Sequence, residues 1–237
     1  MMDAFIEREN EIFDILHSFE AAGLPFVLIG GYAVSAYMHR FSVDADVCMD
    51  RKDFGNFQSI LHQKQFVLEK RRDLEDVYSG FIACYKKKTK LPVTVDIMAG
   101  SVVSRNTNAS FCFETLLKNS AAKKIVGIEK EVHIRIPAKE LLIALKIHSA
   151  RLTDARDIVA LCHHIDFGAV AKFVHRGDRK EVQKNIGLLL SFFNNPDFAD
   201  SFKGVFSIER LPSDSLKNAI RLMEELRQDY AGVGVGR

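Results

Sequence analysis

Asp44 and Asp46 stand one residue apart in the apolar run Val43-Asp44-Ala45-Asp46-Val47-Cys48-Met49. Asp96 is the only acidic residue of a second such run, "LPVTVDIM", residues 91–98. Side chains on a strand alternate between its two sides. Asp44 and Asp46 therefore project together, while Val43, Ala45 and Val47 face the other way. On the second run Thr94, Asp96 and Met98 share one face. Two carboxylates on one side of a strand repel each other and resist burial. A divalent cation such as magnesium or manganese, which prefers oxygen ligands, would resolve the conflict. If the two strands are neighbours, Asp96 completes a three-carboxylate site. Three aspartates around two such ions suit phosphoryl or nucleotidyl transfer, one ion activating the attacking oxygen and the other stabilising the leaving pyrophosphate. The plain alternative is a solvated strand end, since D-x-D alone is common.

A second feature lies upstream. The apolar run Phe26-Val27-Leu28-Ile29 ends in Gly30-Gly31. Glycine at a strand-to-helix junction lets the backbone approach a ligand, and the helix start offers amide N–H groups to an anion. For two glycines alone, a tight turn without a ligand is the simpler explanation. The text G-G-Y-A-V-S lacks the later glycines of a dinucleotide-binding turn and the lysine of a P-loop.

The elements that must position these residues can be read from periodicity. Phe5, Ile12, Phe13, Leu16 and Phe19 recur at helical spacing, Gly23 stops that helix, and Pro25 opens the first strand, 26–29. A helix is expected over 32–39, a strand over 45–49, and a helix over 52–63 with Asp50 as its cap. "QFVLEK", "GFIACYK" and "LPVTVDIM" read as strands. "KKKTK", 86–90, is the solvated turn between the last two, or a phosphate contact. "EVHIRI", 131–136, reads as one more strand. From Pro137 the pattern turns helical: 138–150, 154–163, 166–175, 179–194, and 214–229 behind the cap-like "SDS". "GVGVGR" at 232–237 reads as a frayed tail. The expected organisation is an α+β domain, 1–136, with an all-helical domain, 137–237, packed against it.

Bulk properties narrow the class. The 237 residues are 47% hydrophobic and 27% charged, an ordinary globular composition, with a formal net charge of +2. Cys48, Cys84, Cys112 and Cys162 form no C-x-x-C pair, which disfavours zinc, and Cys48 and Cys84 read as small buried hydrophobes. The acidic N-terminus is unlike a signal peptide and no apolar run is long enough to cross a membrane. A reduced, cytoplasmic protein is expected.

Lys146 is the one polar residue of the stretch 141–147. It either snorkels to solvent or meets an anion, a phosphate or an acid of the next helix. Asp157 is the better partner there, with Asp154 a cap or first-turn acid. His163 and His164 are adjacent and diverge on a helix, which disfavours them as metal ligands.

The string "GGYAVSAYMHRFSVDADV", with Asp96 downstream and Lys146, Arg151, Asp154 and Asp157 in "LLIALKIHSARLTDARDIVAL", resembles the DNA polymerase β-like nucleotidyltransferase superfamily. It is most similar to the branch that holds abortive-infection type nucleotidyltransferase toxins. The resemblance spans residues 20–165 in ordered pieces. It implies a mixed β-sheet flanked by helices, a nucleoside triphosphate, and magnesium or manganese on Asp44, Asp46 and Asp96. It further implies that Asp96 helps deprotonate the acceptor hydroxyl, that Gly30 and Gly31 touch the triphosphate, and that Lys146 and Asp157 take part in catalysis. Many members carry serine directly after the first glycine, where this chain has Gly31. Arg40 or Ser42 would then supply the phosphate contact. An RNA end such as tRNA, a protein or a small molecule is the implied acceptor, and an antitoxin a possible partner. The basic residues at 69–72 and 86–90 favour an anionic one. The competing class is a catalytically inactive copy of the fold, serving as nucleotide sensor or protein-binding partner.

Overall fold

The computed structural model describes residues 2–74 and 80–232. The chain divides into two units, Met1–Val102 with Phe111–Ala138, and Val103–Ser110 with Lys139–Arg237. Of the glycine-rich tail, 233–237 lie outside the described residues.

In the first unit, α1 (Met2–Ala21) buries Ile12, Phe13, Ile15, Leu16 and Phe19, and the chain reverses at Gly23, whose φ of 66° favours glycine. There follow β1 (Phe26–Ile29), α2 (Gly30–Ser35), β2 (Asp44–Met49), a short turn capped by the Asp50 carboxylate on the Lys52 amide, and α3 (Phe54–Gln63). Then come β3 (Val67–Asp73), β4 (Phe81–Lys87) and β5 (Val93–Ala99). The five strands form one mixed sheet in the order β1-β2-β5-β4-β3. β2 and β5 run parallel and every other pair antiparallel.

One face of this sheet is apolar, with Ala45, Val47, Ala83, Tyr85, Val95 and Ile97 fully buried. α1 and α3 cover it through aromatic contacts, among them Phe19–Phe57 and Phe54–Phe81, each 4.7 Å between ring centroids. On the other face Asp44, Asp46, Ile82, Cys84, Lys86, Thr94 and Asp96 remain half-buried. Alternation over Asp44–Val47 and Val93–Ile97 lets one strand serve the core and the open face at once.

The chain leaves the first unit along β6 (Ser101–Val103) and returns along its partner β7 (Ser110–Cys112), then adds α4 (Phe113–Lys118) and the hairpin of β8 (Ser120–Val126) and β9 (Glu131–Pro137). The second unit holds α5 (Lys139–Ser149), α6 (Leu152–Leu161), α7 (Phe167–Val174), α8 (Arg179–Phe193), α9 (Phe198–Phe206) and α10 (Ser213–Gly232). α7 and α8 begin at aspartate caps, Asp166 and Asp178. Among the described residues no helix is long and apolar enough to cross a membrane.

Several elements differ from the sequence reading. α2 starts on Gly30 itself rather than at residue 32, and ends at Ser35 because the Ser35 hydroxyl donates to the Arg40 carbonyl at 2.8 Å and draws the chain back. α6 starts two residues early, at Leu152. β6, β7, α4 and β8 are additions. So is α9, which follows Pro196 and buries Phe198, Phe202 and Phe206 at helical spacing. Cys84 is half-buried on the open face and not a core residue.

The excursion 103–110 is tied into the helical unit by polar contacts. His148, 1% exposed, meets the Thr107 hydroxyl through Nδ1 at 2.9 Å. The Asn185 amide donates to the His148 carbonyl at 3.0 Å. Burial holds the His148 imidazole well below its usual 6.5, at about 4. The unfolded chain thus binds this proton more readily than the folded one. Its stabilising contribution is complete above pH 6.5 and is lost as pH falls towards 4, on the order of 3 kcal/mol. The urea midpoint is expected to drop between about pH 7 and about pH 4.5, and to drop less in His148→Gln.

Candidate active site

The parallel pairing of β2 with β5 sets Asp46 opposite Asp96 and Asp44 opposite Thr94. Asp44, Asp46 and Asp96 each offer a carboxylate oxygen, and these oxygens lie within 4.8 Å of one another. Among the described residues this is the only cluster of three or more His, Cys, Asp or Glu side chains spaced to hold a metal ion. Three half-buried carboxylates at this spacing repel strongly unless a cation stands between them. An all-oxygen donor set fits a hard divalent ion such as magnesium or manganese.

The glycine pair is shaped around these acids. Gly30 has φ of 71°, and a Cβ added to it would overlap Oδ2 of Asp46. Only glycine lets α2 start against the carboxylate. A Cβ on Gly31 would overlap the Ser42 hydroxyl and lie 2.8 Å from Nη2 of Arg40. Ser42 Oγ in turn stands 3.4 Å from Oδ1 of Asp44. Gly30, Gly31, Arg40, Ser42 and the three aspartates are thus brought together, and Ser42 fills the place that a side chain at position 31 would take.

The open face carries a further pattern. Asp46 pairs with Asp96, Asp96 with Cys84, and Cys84 with Lys70, so one row crosses four strands. A parallel row runs Asp44, Thr94, Lys86, Val67. Burial, and then a hydrogen bond with Asp96, push the Cys84 thiol up to about 12, so it stays protonated beside the carboxylate. Glu69 falls at an irregularity between Leu68 and Lys70 and accepts from Lys86 at 3.0 Å. Arg72 lies one step further along β3 than Lys70 on the same side. Both are exposed and, among the described residues, neither forms a salt bridge. Adjacent strands are about 4.8 Å apart, which places the Lys70 backbone roughly 10 Å from that of Asp96. This row was not legible from the sequence, because it depends on strand order.

Lys146 and Asp157 belong to the helical unit, where they meet Asp154. The Lys146 ammonium stands 2.7 Å from Asp157 Oδ2 and 3.1 Å from Asp154 Oδ1, and all three residues are buried. It does not snorkel. Asp154 also accepts from the Arg151 backbone amide and side chain, each at 2.9 Å. Burial alone would raise the Asp154 carboxyl, but Lys146 and the Arg151 hydrogen bonds hold it at about 2. Both acids therefore partner Lys146, with Asp154 doubling as the first-turn acid of α6. His163 and His164 are exposed.

No protein-family model matches the chain, and no curated protein matches it. Among solved structures it is similar to a "putative nucleotidyltransferase from H. pylori", with 15% identity, full coverage of both chains and a TM-score of 0.53. It also overlaps JHP933 from Helicobacter pylori, with 16% identity, 96% of this chain and 94% of that one, and a TM-score of 0.46. A third overlap is the lincomycin-bound lincosamide antibiotic adenylyltransferase LnuA, with 20% identity, 65% and 95% coverage, and a TM-score of 0.42. Of these, the first is similar enough for a fold assignment. The architecture is a nucleotidyltransferase-like mixed sheet flanked by helices, with a helical C-terminal part.

Gly30→Ala is expected to destabilise the protein by at least about 1–2 kcal/mol from the left-handed backbone alone. It should also weaken manganese binding several-fold, because Asp46 must move. Gly55→Ala, which meets open space, should do neither. Urea unfolding and manganese titration check both.

Proposed function

We propose that the chain is a metal-dependent nucleotidyltransferase that moves a nucleoside monophosphate from a nucleoside triphosphate to an acceptor hydroxyl. The observation that carries this reading is the register that sets Asp46 opposite Asp96 with Asp44 alongside, next to a helix start opened by Gly30. Asp44, Asp46 and Asp96 would hold magnesium or manganese, which neutralises the triphosphate and the departing pyrophosphate. The acceptor oxygen bonds to the α-phosphorus, the bond from that phosphorus to the bridging oxygen breaks, and pyrophosphate leaves. Asp96 takes the acceptor proton. Gly30 leaves room for Asp46 and Gly31 for Ser42 and Arg40, and the last two would serve the phosphates as hydrogen-bond donors beside the glycine turn. Lys146 and Asp157 belong to the helical unit, and a triphosphate would have to compete with two carboxylates for that ammonium.

The inactive-sensor reading draws on Gly31, which lacks the serine hydroxyl of many superfamily members. Ser42 Oγ answers it, since it occupies the space over that glycine. Calorimetric titration of the four nucleoside triphosphates, with and without magnesium, decides. Magnesium-dependent binding of one of them, lost in Asp44→Ala/Asp46→Ala, is expected. Binding without any turnover would favour the sensor, and no binding would remove the enzyme reading.

For the acceptor we favour an RNA end, on the strength of Lys70 and Arg72 beside the acids. Lys70→Gln/Arg72→Gln should weaken binding of a single-stranded oligoribonucleotide. It should also flatten the slope of log K against log salt by about 0.7 for each phosphate no longer neutralised. An unchanged slope would point to a protein or small-molecule acceptor. The same chemistry aimed at a cellular RNA would make the chain a toxin held by an antitoxin, a finer assignment that follows the sequence resemblance.

A further inference from the structure

The residues that stand over Gly31 sit on a segment without regular structure. Residues 36–43 connect α2 to β2 and carry both Arg40 and Ser42. Two side-chain hydrogen bonds from α2 hold this segment to that helix. The Tyr32 hydroxyl donates to the Ser42 carbonyl at 3.2 Å, and the Ser35 hydroxyl to the Arg40 carbonyl. Two further contacts reach to α1. The Phe41 ring packs on Phe5 at 5.7 Å between centroids, and Nε2 of His39 donates to Oε1 of Glu9 at 3.1 Å.

Glu9 is 1% exposed. Burying a carboxylate is costly, and the cost is offset here because both oxygens are engaged. Oε1 takes His39, while Oε2 accepts from the Ile128 backbone amide at 2.9 Å, in the turn between β8 and β9. That turn is fitted to the carboxylate: a Cβ on Gly127 would come within 2.5 Å of Glu9 Oε2 and 2.9 Å of the Phe13 ring. Glu9 also lies close enough to Tyr32 to raise the phenol further above its ordinary range, after burial itself. An apolar residue would serve equally well to seat α1 on the sheet. What an apolar residue cannot do is bind an imidazole and a backbone amide at once, and so lock the 36–43 segment to two other elements.

We propose that Glu9 and His39 are positioning residues for the nucleotide: through the Glu9–His39 hydrogen bond they hold Arg40 and Ser42 over Gly31, ready for the triphosphate. The proposal rests on the nucleotidyltransferase reading. His39 is partly exposed, and glutamine at this position retains a donor for buried Glu9.

The test has a ligand-free arm and a nucleotide arm. In ligand-free protein, His39→Ala should speed amide exchange across residues 36–43 and lower the melting temperature, because Glu9 loses one of the two partners that offset its burial. In calorimetry it should weaken magnesium-dependent triphosphate binding about tenfold, and His39→Gln should restore most of both. Exchange in His39→Ala equal to wild type would overturn the proposal, as would unchanged nucleotide affinity. If the wild type binds no triphosphate while the exchange effect is present, the nucleotidyltransferase reading fails and takes the nucleotide role with it. The two failures are thereby told apart.

Discussion

Electrostatic repulsion among three carboxylates is the constraint around which the α+β unit is arranged. Parallel pairing of β2 and β5 forces Asp46 and Asp96 side by side, and Asp44 joins them one residue pair away. Nothing in the folding of a five-stranded sheet asks for this. Valine or threonine at those positions would suit a strand better, since β-branched residues fit the pleat and bring no charge. The sheet tolerates the arrangement because its opposite face is densely apolar. Ala45, Val47, Val95 and Ile97 alternate with the acids and lock the same two strands under α1 and α3. Fully burying one such valine or isoleucine contributes about 1.5–3 kcal/mol. The strands that suffer the repulsion are the strands best anchored against it.

The rest of the site follows from the same pairing. Gly30 is needed because Asp46 occupies the space its side chain would require, and Gly31 because Ser42 and Arg40 occupy the other. The glycines are then less a motif in their own right than the imprint of neighbouring side chains. The Ser42 hydroxyl fills the space into which a side chain at position 31 would project.

Much of this was legible in the sequence, and the boundary of what was legible is physical. Asp44, Asp46 and Asp96 could be picked out because strand alternation is local, and a charge inside an apolar run violates it visibly. The first strand, 26–29, matches residue for residue. β8 was missed because Ser120–Val126 is mostly polar or exposed on both faces, which erases the period-two signal. α9 was missed because Pro196 and the polar residues around it read as loop, although Phe198, Phe202 and Phe206 do carry the helical period. The residue of the proposed site that sequence could not yield is Glu9. Glu9 is one acid among several on α1, and only its burial sets it apart. Lys70 lies in the basic stretch 69–72 that sequence did pick out, but its place three strands from Asp46 in the same row depends on strand order.

The excursion of residues 103–110 has a consequence for how the chain comes to be folded. Val103–Ser110 belongs with the helices, yet it is synthesised before the β8–β9 hairpin and before every helix it accompanies. Thr107, fully buried, finds His148 forty-one residues later, and its carbonyl takes the Asp178 amide later still. During synthesis the α+β unit has all its own residues once Ala138 has emerged, while this eight-residue segment must wait, unsatisfied, for partners not yet made. A chain cut after Ala138 would carry that waiting segment permanently. The two units are therefore separable by contact but not by a single break in the chain.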